Sequence, residues 1–234
     1  MIGHSIRYSL AAVLLTLVVL CAFASGCGGT GSDPSSTPLS LEQRVVRAGQ
    51  LADWKETAPP ATLGDAATFA EQIQDTLIAA TGEEAAAELE RRGFVAASFS
   101  SLGKPPNHVE GGSGVIEVRS EADALAVQEW AVRDSLSPCP NDCTIDISEF
   151  DVAGIPNAVG IKRERQPGAV PRFEYYEVSF TDGPFYYVVL AGGDPAHMVS
   201  KDDVIASAQL LWQQVRGRPL PASDGPQAVA TQSR

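Results

Sequence analysis

Apolar residues change their spacing several times along this chain, and each change marks an element. From Leu10 to Phe23 the run is continuous apart from Thr16. Further on, Ser40-Leu41-Glu42-Gln43 is a capping-box pattern and predicts an amphipathic helix from Leu41 to about Leu51. Trp54 then precedes an extended break through Pro59 and Pro60. Phe69, Ile73 and Leu77 recur at i, i+4 and i+8, which predicts a helix over 65–80. Glu83 to Arg92 reads as a third, Ala-rich helix, with Gly93 as its C′ residue.

After Gly93 the pattern turns to strands. Phe94 to Ser100 and Val115 to Arg119 read as strands separated by a Pro/Gly-rich loop over 103–114. Ser120 and Asp123 cap a helix running to Leu136, with Leu125, Ala126, Trp130 and Val132 on its apolar side. A strand over 144–152 shifts phase near Ser148 and Glu149, which suggests a bulge. Another follows over 158–163. Two β-rich runs within Phe173–Leu190 flank Thr181-Asp182-Gly183-Pro184 and predict a hairpin. Ser200 and Asp203 open a last helix, Lys201 to Arg216, which Gly217 and Pro219 stop. The order predicts an α+β fold: a largely antiparallel sheet of about six or seven strands with helices packed on it.

The start of the chain carries an address. The apolar run of 14 residues is too short for a membrane span, which needs about 20, but it suits the core of a secretory signal. Ala24-Ser25-Gly26 follows, then Cys27. This leader resembles that of bacterial lipoproteins, whose lipobox sets small residues before a Cys that is lipidated after cleavage. Ala24 stands where Leu is usual. The resemblance implies acylation of Cys27 and an outward-facing, membrane-anchored protein; the body of the chain is loosely similar to uncharacterised envelope lipoproteins. Ala22-Phe23-Ala24 leaves a second reading, cleavage to a soluble secreted protein, and an uncleaved anchor is a third. Residues 28–39 are rich in Gly, Ser, Thr and Pro and read as a flexible tether. The expected organisation is therefore a leader over 1–26, lipidated Cys and tether over 27–39, one domain over 40–216, and a disordered tail over 217–234.

Charge narrows the partners. The chain carries a formal net charge of -12, and loss of the leader removes only Arg7 among charged residues. So acidic a surface excludes nucleic acid as a partner, because phosphate binding needs a basic face. It also leaves attachment to anionic lipid to the acyl chain. Beyond Cys21 and Cys27 the cysteines are Cys139 and Cys143, four apart in S-P-C-P-N-D-C, which in an exported domain favours a disulfide over free thiols or metal.

Motifs for chemistry are sparse. Gly111-Gly112-Ser113-Gly114 lacks the spacing of a nucleophile elbow, and the chain has no P-loop, H-E-x-x-H, C-x-x-C or EF-hand pattern. No metal or cofactor site is expected. Asp194 and His197 are three apart and form one candidate acid/base pair. Asp146, Glu149 and Asp151 form an acidic strand, with alternation putting Asp146 opposite the other two. The hairpin holds the strongest signal: both faces of its strands are apolar or aromatic. Such a strand is either buried on both sides or offers one face as a groove, and Phe173, Tyr175, Phe185 and Tyr187 are its candidate surface for a small apolar ligand or partner protein. The expected function is a non-catalytic, lipid-anchored binding domain. The alternatives are an enzyme using Asp194/His197 or the acidic strand, and a structural accessory subunit of a membrane complex.

Overall fold

The computed structural model describes residues 38–51, 54–74, 77, 79–104, 109–138, 145–165, 173–193 and 199–217. Seven strands form one antiparallel sheet in the order β1-β2-β3-β7-β6-β5-β4. They span Lys55–Leu63 (β1), Phe94–Lys104 (β2), Val109–Val118 (β3), Ile145–Phe150 (β4), Val159–Arg165 (β5), Glu174–Asp182 (β6) and Phe185–Gly193 (β7). Among the described residues four helices accompany them: Ala66–Ile73 (α1), Gly82–Arg91 (α2), Glu121–Ser135 (α3) and Lys201–Val215 (α4). The fold is α+β, as the element order implies. Among the described residues no helix is long and apolar enough to cross a membrane.

The helices start where side chains satisfy the free N–H groups of the first turn. Thr81 and Glu84 form a reciprocal capping box on α2, and Ser120 and Ser200 accept from the N–H groups of Asp123 and Asp203, each at 3.1 Å. Gly93 ends α2 at φ +78°, a conformation that favours glycine. The hairpin closes through two residues, since Asp182 pairs with Phe185. Gly183 takes φ +57° at the first central position and Pro184 fills the second, where its ring fixes a negative φ.

Five expectations need correction. Residues 41–51 do not form a helix: one 3-10 turn over Leu41–Gln43 leads into a segment that buries Val45, Val46 and Leu51. Tertiary burial of these side chains overrides the helical pattern. The break through Pro59 and Pro60 is edge strand β1, whose register to β2 shifts on either side of Ala58 and passes over both prolines. The glycine-rich loop over 103–114 is largely strand, because β3 runs unbroken from Val109 and Gly111, Gly112 and Gly114 pair with Leu102, Ser101 and Phe99. In β4 no bulge occurs: it pairs with β5 in continuous register from Ile145↔Arg165 to Phe150↔Gly160. Ile145 and Phe150 simply serve opposite faces of the sheet. In α3 the buried side is Ala124, Val127, Gln128, Asp134 and Ser135, and Leu125 is exposed.

Each face of the sheet has its own core. On one face α4 and the 44–54 segment cover Val115, Val178, Phe180, Tyr187 and Val189. On the other α1, α2 and α3 cover Ala97, Ile116, Val118 and Tyr186. The two-sided apolar pattern of the hairpin has this origin.

Candidate functional site

The sheet separates the aromatic residues singled out in the sequence. Tyr187 is fully buried on the α4 face, stacked on Phe180 at 4.9 Å, and its hydroxyl accepts from Arg44 Nη1 at 2.8 Å. Burial pushes its phenol up to about 12, against the pull of Arg44. Phe185 lies on the same side, half-buried under the Arg44 guanidinium at 4.0 Å. The 44–54 segment and α4 thus close this side of the hairpin. Phe173 precedes β6, with the Arg165 guanidinium 5.7 Å from its ring centroid. Tyr175 lies on the opposite face, because Phe180 pairs with Tyr187 and the even positions of β6 therefore face α4. Cys27, Cys139, Cys143, Asp194 and His197 lie outside the described residues. Asp146 and Glu149 occupy opposite faces of β4, so the acidic strand does not converge there. No group of three or more His, Cys, Asp or Glu that could hold a metal ion occurs among the described residues.

Tyr175 instead lines a cavity that periodicity did not reveal. The floor is the sheet, with Phe99, Gly114, Tyr175, Tyr186, Val188 and Leu190, and the roof is α1 and α3, with Phe69, Ile73, Trp130 and Ala131. The cavity volume is about 80 Å3, and the space is partly open to solvent. Glycine makes the space. A side chain at Gly114 would project into it, its Cβ 3.1 Å from Val188 Cγ1 and 3.4 Å from the Phe99 ring. At Gly112 a Cβ would meet the Phe99 ring at 2.6 Å, so the missing side chain there lets Phe99 lie flat across β3. The run Gly111-Gly112-Ser113-Gly114 is the one sequence signal for this hollow: glycines inside a strand mark a close approach.

One end of the cavity is polar. Asp134, Ser135 and Glu177 line it beside the two tyrosines. Asp134 accepts from the N–H groups of Ala79 and Ala80 at 3.0 and 2.8 Å and thereby ties the α1–α2 connection to the end of α3. Glu177 is buried in the middle of β6 and accepts from Ser135 Oγ at 3.2 Å and from Arg163 Nη2 at 3.3 Å. Arg163 Nε donates to the Ser135 carbonyl at 3.3 Å, and its guanidinium lies 5.0 Å from the Tyr175 ring centroid. Burial raises the Glu177 carboxyl above the ordinary value; Arg163 and Ser135 oppose that, and Asp134 adds to it. Burial and the Glu177 charge push the phenols of Tyr175 and Tyr186 up as well. Both tyrosines stay neutral across the physiological range and can donate. The cavity is an apolar, aromatic hollow with a few converging polar groups at one end.

No family model matches the chain, and no curated protein matches it. The fold does have a solved counterpart, the extracellular domain of PknH from Mycobacterium tuberculosis. The two superpose with a TM-score of 0.51 over 77% of this chain and 98% of that one, at 12% sequence identity. This likeness is one of fold.

Proposed function

We propose that this chain is an exported envelope lipoprotein, tethered through Cys27, whose domain binds a small molecule in the α1/α3 cavity without catalysing a reaction. The cavity carries the reading: an aromatic hollow of about 80 Å3 with a buried, hydrogen-bonded carboxyl group at its end. Packing alone favours filling such a space, because voids cost stability. Two further observations support the setting. The leader ends in Ala24-Ser25-Gly26-Cys27, and the fold is shared with a domain that is extracellular in its own protein.

The test is thermal unfolding of the purified full chain with benzyl alcohol. A ligand at ten times its Kd stabilises by about 1.4 kcal/mol, which raises Tm by about 3–5 °C for a domain of this size. Ala131→Leu fills the cavity from the helix side and Gly114→Val fills it from the sheet. The expected result is a saturable rise that either variant abolishes. A rise of equal size in both variants, or no rise in the parent, overturns the proposal.

A further inference from the structure

We infer that the cavity selects the ammonium end of a small amine with an aromatic or short apolar body, an inference that rests on the ligand-binding reading above. The first argument is charge. Two carboxyl groups, Glu177 and Asp134, line the polar end. The guanidinium of Arg163 is outside that lining and is turned to Ser135, Glu177 and Tyr175. A ligand therefore meets the acidic side of the ion pair.

The second argument is hydrogen-bond capacity. A carboxylate offers about four lone-pair sites. Glu177 receives the single Ser135 hydroxyl proton, shared between its oxygens at 3.2 and 3.3 Å, and one Arg163 N–H at 3.3 Å. A buried acceptor with sites to spare gains most from a charged donor.

The third argument is the wall. Phe99, Trp130, Tyr175 and Tyr186 surround the space, and aromatic faces attract cations. The Tyr175 ring already holds a guanidinium on one side. Size limits the ligand: a cavity of about 150 Å3 takes benzene, so about 80 Å3 is expected to accept the head group and its first carbons, with the body at the open side beside Trp130.

Three probes with one ring and different heads test this: benzylamine, benzyl alcohol and benzoate, titrated into the full chain labelled with 5-fluorotryptophan, with the 19F resonance of Trp130 as readout. Benzylamine is expected to bind about tenfold or more tightly than benzyl alcohol, with benzoate undetectable. The double variant Arg163→Met/Glu177→Gln, which leaves neither charge unpaired, should bring benzylamine down to the affinity of benzyl alcohol. Benzyl alcohol binding as tightly as benzylamine, or benzoate binding more tightly, overturns the inference while the ligand-binding reading stands. If none of the three binds, that reading falls and the inference falls with it.

Discussion

Removing the Arg163 side chain as Arg163→Met leaves the Glu177 carboxyl buried without its only cationic partner among the described residues. The side chains of the pair are 6% and 8% exposed, so solvent cannot take over the role of the guanidinium. Breaking a buried pair on one side costs about 3–5 kcal/mol. For a domain of this size that lowers Tm by roughly 6–20 °C. The cost also depends on pH. The folded-state pKa of Glu177 is raised, chiefly by burial, and Arg163 is what holds it down. Without Arg163 it rises further. A carboxyl whose folded pKa exceeds its unfolded value stabilises the fold when protonated, and that stability is lost as pH rises through the folded pKa. The deficit of Arg163→Met should therefore be large at pH 7.5 and shrink towards pH 4.5. Adding Glu177→Gln should recover most of the loss and flatten its pH dependence. Urea unfolding at the two pH values measures all of this. A deficit under 1 kcal/mol that is equal at both would refute the reasoning, because it would mean that water already solvates Glu177.

Other outcomes follow from the same geometry. Tyr187→Ala removes a fully buried ring from the Phe180 stack and should cost about 3–5 kcal/mol in urea unfolding; a loss under 1 kcal/mol would place this side of the hairpin in solvent. Ser200→Ala deletes the acceptor for the Asp203 N–H at the start of α4 and should cost about 1 kcal/mol, whereas Ser200→Asp should be close to neutral. Cys27→Ser should move the protein from the membrane fraction to the soluble one when cells are fractionated; unchanged membrane association would reject the lipid tether.

The helix caps, the hairpin and the two-sided burial of its strands were legible because each is written in local residues: Ser120 with Asp123, Ser200 with Asp203, and the alternation through Tyr186, Tyr187 and Val188. Strand β3 was not, since Gly111, Gly112 and Gly114 have no side chain to show a period and owe their strand geometry to ladder pairing with β2 and β7. Strand β1 was hidden by its prolines, which only an edge tolerates. The segment after Gln43 has a helical pattern, yet its apolar residues pack on the sheet from a loop. The site was legible only in part. Tyr175 was marked by its composition alone, but its separation from Tyr187 depends on which face each strand position takes in the assembled sheet. The Arg163–Glu177 pair and the cavity join β5, β6 and α3, elements that no periodicity in the chain connects.

The central claim, a ligand cavity between α1, α3 and the sheet, is tested most directly by 19F NMR on the full chain labelled with 5-fluorotryptophan. The chain has three tryptophans. Trp130 lines the cavity, while Trp54 and Trp212 pack in the core on the α4 face. Titration with benzylamine should move the Trp130 resonance to saturation and leave the other two in place. Equal drift of all three, or no saturable shift at Trp130, would contradict the account.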